Sequence, residues 1–208
     1  MRHILLIRHG ETKLNSNDNS LDKVRGWTDV PLTEKGRQEA KKIGQELKSK
    51  GPDMLVSSDL IRAKETAVII SKVSGIPLEL VSKSFRPWDV GKYAGTSSKD
   101  SVPILAEVAS KQPNKKVSGG ESFNVFRDRL FSGLHNLLRS IGSETAGIVT
   151  HHRVERLLKA WQAAGYPKDG QIDARVFAQK GDATGESEWF AVPLERLPHD
   201  AFSAHGWA

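Results

Sequence analysis

The sequence predicts an α/β protein in which helices cover a layered sheet, and three observations carry that prediction. Short aliphatic runs at residues 4–7, 54–56, 78–81 and 147–149 are bounded by turn or polar residues, as buried strands are. Between them, apolar residues recur at helical spacing, and strands that alternate with helices build layered sheets. The chain has 208 residues, 38% of them hydrophobic, which suits one domain over residues 1–208 with a sizeable core.

Taken in order, the first strand is Ile4-Leu5-Leu6-Ile7. A long polar loop follows, then the helix-start signal Pro31-Leu32-Thr33, with Ala40, Ile43, Gly44 and Leu47 on one face and Gly51 as the stop. Met54-Leu55-Val56 is the second strand. Asp59 is placed to cap a helix with Leu60, Ala63, Ala67 and Ile70 facing inward and Gly75 at its end. Residues 78–81 form a third strand. A variable stretch over about 85–118 reads as irregular, with a short helix near 104–109. Phe123, Phe126, Leu130, Leu134 and Leu137 mark a long helix. Gly147-Ile148-Val149 is a strand, and Val154, Leu157, Leu158 and Trp161 mark the helix after it. Residues 175–179 and 188–192 read as a strand pair around the 181–185 turn, and a tail over about 193–208 is irregular.

Composition sets limits on function. The first apolar run is too short for a signal peptide, and nothing approaches a membrane span, so a cytoplasmic protein without membrane contact is expected. There is no cysteine, hence no disulfide framework and no thiolate chemistry. The net charge is +6, but basic residues are scattered, and the clearest cluster, residues 111–116, has no aromatic for base stacking. Attraction of a small anionic substrate explains that charge more simply than nucleic-acid binding.

The polar signals sit at strand ends. Arg8-His9-Gly10 follows the first strand, Ser57-Ser58-Asp59-Leu60-Ile61-Arg62 the second, and Thr150-His151-His152-Arg153 the strand at 147–149. In open α/β sheets, ligands bind outside the carboxyl ends of the strands. Each residue alone has a plain structural reading, Arg62 as a solvated helix residue and His151 as a satisfied strand-end histidine. Together, two arginines and two histidines at one sheet edge suit a cradle for a dianionic phosphoryl group, since arginine offers a planar fork of donors to phosphate oxygens. An uncharged histidine can attack phosphorus. That requires an acceptor on its other nitrogen, and a backbone carbonyl near Gly10 is the expected one.

These motifs make the chain resemble the histidine phosphatase superfamily, also called phosphoglycerate-mutase-like. The resemblance runs from Arg2 to about Leu158. It includes Arg8-His9-Gly10-Glu11-Thr12 with Asn15, then Gly26-Trp27-Thr28-Asp29-Val30-Pro31-Leu32-Thr33 with Gly36. It continues through Ser57-Ser58-Asp59-Leu60-Ile61-Arg62-Ala63 with Thr66-Ala67, Gly120-Glu121-Ser122, and Val149-Thr150-His151. It implies a three-layer α/β/α sandwich around a mostly parallel sheet, a phosphohistidine intermediate and no metal or other cofactor. By the same resemblance His9 is the nucleophile, Arg8, Arg62 and His151 hold the phosphoryl group, and Asn15, Glu121 and Ser122 line the pocket.

Two positions depart from the family pattern. Many members carry a glutamate acid four residues before the glycine matched by Gly91, where this chain has Pro87, and Asp89 is the nearest replacement. Its plain reading is a loop aspartate that caps a turn. Glu121 is a weaker candidate. His152 stands where the family often has glycine; it either contacts substrate or simply begins a helix, and the contact is the favoured reading. A metal site on His151 and His152 is not expected, because no clustered carboxylates or cysteines accompany them. The expected partner is a small phosphorylated substrate. A phosphomonoesterase is favoured over a phosphoglycerate mutase, which usually carries a longer basic insertion before the long helix, over a phosphohistidine or phosphoprotein phosphatase, and over a weakened phospho-binding module. Oligomeric state is left open.

Overall fold

The computed structural model describes residues 1–15, 22–142, 144–179 and 184–198. The five strands are β1 (Arg2–Arg8), β2 (Met54–Ser58), β3 (Leu78–Ser82), β4 (Ala146–Thr150) and β5 (Ser187–Val192). They form one sheet in the order β3-β2-β4-β1-β5. All neighbours are parallel except β5, which runs antiparallel to β1 along the edge. The helices are α1 (Glu34–Leu47), α2 (Ile61–Ser74), α3 (Ser98–Lys111), α4 (Phe123–Ser140), α5 (His152–Ala163) and α6 (Ala174–Ala178).

Strand alternation sorts the core into two faces. Leu5 and Ile7 of β1, with Leu55 and Val149, pack against Ala40, Ile43 and Leu47 of α1 and Ala63, Ala67 and Ile70 of α2. Ile4 and Leu6, with Val56 and Ile148, meet Phe126, Leu130, Phe131 and Leu134 of α4 and Leu157, Leu158 and Trp161 of α5 on the other side. Side chains two residues apart share a face of a strand, so one short aliphatic run supplies both layers. The central strands are buried on both faces, which is why they read as continuous apolar runs rather than alternating ones. The chain is therefore an α/β fold with a mostly parallel sheet and helices on both faces. No helix among the described residues is long and apolar enough to cross a membrane.

Several local expectations need correction. Residues 175–179 are not a strand. Asp173 accepts the N–H groups of Arg175 (2.8 Å) and Val176 (3.3 Å) and so starts α6 there. β5 pairs instead with β1, placing Phe190 and Val192 in the core. Asp59 does not cap α2: its carboxylate grips Arg86 with two 2.6 Å contacts, and Asp29 accepts the Ile61 N–H at 2.7 Å in its stead. The helix expected near 104–109 spans 98–111, so the 85–118 stretch is more ordered than its composition implies. Most of the expected 181–185 turn, and the tail beyond residue 198, lie outside the described residues.

Candidate active site

Three neighbouring parallel strands end side by side. Arg8 pairs in register with Thr150, and Ser57 with Val149, so the carboxyl ends of β1, β4 and β2 form one ledge. His9 lies just past β1, its N–H donating to the Thr150 carbonyl at 3.0 Å. His151 lies just past β4 and is the N-cap residue of α5. The two imidazoles are neighbours, with ring centroids 5.2 Å apart and planes tilted by 60°. Both are buried, 2% and 3% exposed.

The backbone around His9 is pinned. The Gly10 N–H donates to Thr66 Oγ1 (3.1 Å), whose hydroxyl donates to the Arg62 carbonyl (2.8 Å), tying the loop to α2. Gly10 also lies against Gly36 so closely that a Cβ on Gly10 would stand 2.3 Å from the Gly36 carbonyl oxygen. Only glycine allows that approach. His9 Nδ1 lies 2.8 Å from the Gly10 carbonyl oxygen. A carbonyl only accepts, so Nδ1 carries the proton and Nε2 keeps its lone pair. The expected acceptor for the second nitrogen is thus in place.

Arg62, 1% exposed, donates to the carbonyls of Thr28 (2.8 Å) and Gly26 (3.0 Å), which aims its fork from α2 and leaves Nε without a hydrogen-bond partner among the described residues. His151 Nε2 meets Ser58 Oγ at 2.9 Å, and its Nδ1 has no such partner. Asn15 Oδ1 accepts the Thr12 N–H (2.8 Å) and the Thr12 hydroxyl, while its Nδ2 is buried without a partner among the described residues. His152 begins α5 with Nε2 in the same condition. Buried donors and acceptors without partners are costly, and their clustering at one strand edge marks a binding site rather than a packing core.

The electrostatics are one-sided. Burial, then the charges of Arg62, Arg25 and Arg8, hold the His9 pKa well below the usual histidine range, against a raising effect of the Gly10 bond. Burial, then Arg62, His9, Arg25 and Arg129, does the same for His151. His152 is pushed down to about 2 by burial and by Arg8, Arg153, Arg156 and Arg25. All three imidazoles are therefore neutral at neutral pH. Arg62 itself is lowered to about 9, by burial and by Arg25, with Asp29 opposing. Such a concentration of positive charge favours an anionic ligand.

The other expected residues hold the frame of the site. Ser122 Oγ accepts the Val125 N–H (3.2 Å) as the N-cap of α4. Glu121 accepts Arg129 Nη2 (2.7 Å) and the Asp89 N–H (3.0 Å) on Oε1. Asp89 Oδ1 accepts the Gly91 N–H at 3.2 Å, a turn-holding bond. The Pro87 carbonyl accepts Trp27 Nε1 (2.9 Å) and Arg129 Nη2 (3.2 Å). The structure adds residues that sequence reasoning missed, namely Arg25, Arg129 and Arg153. Arg129 donates Nη1 to the carbonyls of Lys83, Ser84 and Arg86 and so clamps the loop after β3 onto α4. Arg25 immediately precedes Gly26, to whose carbonyl Arg62 is bound. Arg153 follows His151 by two residues. Loop and helix-start arginines have no periodic signature, and only their adjacency to Gly26 and His151 hinted at a role.

The family model of the histidine phosphatase superfamily (branch 1) matches residues 4–174. The chain belongs to that superfamily. The probable phosphoglycerate mutase GpmB of Salmonella paratyphi C is 29% identical over 155 residues, 73% of this chain and 70% of the relative. Among solved structures, mycobacterial glucosyl-3-phosphoglycerate phosphatase in complex with VO3 superposes with a TM-score of 0.70 at 23% identity, covering 92% of this chain and 93% of the other. The Thermus thermophilus protein TTHB049 gives 0.64 at 26% identity, covering 92% and 94%. Histidine phosphatase superfamily members act as phosphatases or mutases, so the chain is an enzyme of that kind.

Proposed function

We propose that the protein is a metal-independent phosphatase that hydrolyses phosphomonoesters through a phosphohistidine on His9. The observation that carries this reading is the His9 Nδ1–Gly10 carbonyl bond, which leaves Nε2 unprotonated and directed away from the backbone that holds the ring. In this mechanism Nε2 attacks the phosphorus in line with the leaving oxygen, forming an N–P bond as the ester P–O bond breaks, and the leaving oxygen takes up a proton to depart as the alcohol. Water then attacks the same phosphorus and gives up one proton to solvent, the N–P bond breaks, and its electron pair returns to Nε2. Arg8, Arg62 and His151 bind the equatorial oxygens, and stabilisation of their charge is normally the largest part of such catalysis. His151 can give its Nδ1 or Nε2 proton in a hydrogen bond to the phosphoryl group or to Ser58, and its neutrality allows either tautomer. Asn15 and His152, each with a buried nitrogen lacking a partner among the described residues, are the further contacts to substrate.

A phosphatase is favoured over a mutase because the interval between the Pro87 region and α4 holds one α-helix, α3, and short turns rather than a long basic insertion. The test is release of phosphate from p-nitrophenyl phosphate beside an assay of phosphoglycerate interconversion. Phosphate release inhibited competitively by vanadate, without interconversion, is expected. Interconversion faster than phosphate release would replace the phosphatase reading with the mutase one.

A further inference from the structure

Two serines end β2, and their hydroxyls are used differently. Ser57 Oγ donates to the Ser58 carbonyl at 2.7 Å, which commits its proton. Ser58 lies on the opposite face of the strand, as successive strand residues do, and its Oγ stands 2.9 Å from His151 Nε2. The Leu60 N–H donates to the same oxygen across 3.4 Å. Ser58 is fully buried, and among the described residues His151 Nε2 is the one acceptor its hydroxyl proton can reach.

Neutral His151 carries one ring proton, which has two placements. With the proton on Nε2, the bond runs from the ring to the hydroxyl. The Ser58 proton is then buried without an acceptor, and Nδ1 is a buried lone pair without a donor among the described residues. With the proton on Nδ1, Ser58 donates to Nε2 and accepts from Leu60, so its hydroxyl is satisfied on both counts. The one group left over is the Nδ1–H, in a ring whose centroid lies 5.2 Å from that of His9. Nor is Nδ1 used as an acceptor at the start of α5, where His151 is the N-cap residue but makes no side-chain capping bond. A buried polar group left unpaired costs more than a typical hydrogen bond gains, so the placement that strands two groups loses to the one that leaves a single donor for a ligand.

We propose that Ser58 is a positioning residue that holds His151 in its Nδ1–H form, so that a hydrogen-bond donor rather than a lone pair meets the phosphoryl group. This rests on the phosphatase reading above and assigns the atom through which His151 acts. A dianionic phosphoryl group accepts hydrogen bonds and repels a lone pair, so the donor is the form that stabilises charge on its oxygens. The arrangement complements that of His9. There a carbonyl acceptor places the proton on Nδ1 and frees the Nε2 lone pair to attack; at His151 a hydroxyl donor occupies Nε2 and frees the Nδ1–H to bind. The two imidazoles share one tautomer and serve opposite roles, one presenting a lone pair and the other a proton.

Long-range proton–nitrogen correlation spectra of protein carrying labelled histidine read the tautomer directly, because protonated and unprotonated ring nitrogens resonate far apart. The His151 signals are identified by their loss in His151→Gln. In the wild-type protein at neutral pH, Nδ1 of His151 is expected to be protonated and Nε2 unprotonated, and vanadate should shift the Nδ1–H resonance. In Ser58→Ala the Nε2–H form should become populated, and vanadate affinity and kcat/KM on p-nitrophenyl phosphate should each fall about three- to tenfold. Ser58→Thr, which keeps the hydroxyl, should restore the wild-type tautomer. A protonated Nε2 in the wild-type protein, or an unchanged His151 tautomer in Ser58→Ala, would overturn the proposal. Where Ser58→Ala does not fold, the wild-type spectrum decides. Failure to turn over p-nitrophenyl phosphate, with His151 in the Nδ1–H form and vanadate still bound, would remove the phosphatase reading and leave the role of Ser58 in anion binding standing.

Discussion

Three neutral histidines among arginines, His9 and His151 buried and His152 half-buried, make the fold sensitive to mild acid. In each case burial is the largest cause of the lowered pKa, followed by neighbouring positive charge. In the unfolded chain the same groups titrate near 6.5. Their folded pKa values are depressed, so their contribution to stability is fully present above pH 6.5. As pH falls below 6.5 the unfolded chain takes up protons that the folded chain refuses, and stability declines until the folded pKa is reached. At one pH unit below the unfolded value, each such histidine costs roughly 1.4 kcal/mol, or about 4 kcal/mol for the three. That is a large part of the roughly 5–15 kcal/mol of an ordinary domain. Urea unfolding at pH 7.5, 6.5 and 5.5 measures it directly. The expected result is a steep loss of stability between pH 6.5 and 5.5, made shallower by about one proton in His152→Gln. Equal stability at pH 7.5 and 5.5, or an unchanged slope in that variant, would show that these imidazoles accept protons in the folded state.

Two further outcomes follow from the geometry. Gly36→Ala would drive a Cβ to 2.2 Å from the Glu11 carbonyl oxygen, so it should destabilise the protein by about 1–3 kcal/mol, read as a lower urea midpoint. It should also lower activity more than that loss explains, because the His9-Gly10 backbone must move. The cradle's charge is supplied by arginines, so dialysis against a chelator should leave phosphate release unchanged. Loss of activity that added divalent metal restores would contradict that.

The aliphatic runs at β1, β2 and β4 were legible because strands buried on both faces must be continuously apolar, and turn residues delimit them. The helices α1, α2, α4 and α5 were legible from their spacing, since each buries one stripe against a single sheet face. The 175–179 segment misled because Arg175, Val176 and Phe177 read as a short strand-forming run; the Asp173 cap, one local side chain, decides for helix. Asp59 misled in the opposite way. It has the chemistry of a cap, but Arg86, 27 residues distant, binds it more strongly, and the vacant role falls to Asp29. Tertiary partners at such separation leave no local pattern.

The site was legible to the extent that it sits at strand ends. His9, Arg8, Arg62 and His151 belong to the ends of β1, β2 and β4 or follow them, and the sheet order places those three strands together. The acceptor for His9 Nδ1 is a backbone carbonyl one residue on, a contact local enough to anticipate. Arg25, Arg129 and Arg153 were not legible. Their importance comes from burial and from how the folded chain gathers them, which no spacing in the sequence encodes.

The central claim is that His9 Nε2 takes the phosphoryl group. Rapid quench of the enzyme with radiolabelled phosphoryl donor tests it most directly, followed by acid and alkali treatment of the denatured protein. The account predicts one label that is acid-labile and alkali-stable, located on His9 and absent from His9→Ala. Label that survives acid, or that persists in His9→Ala, would contradict it.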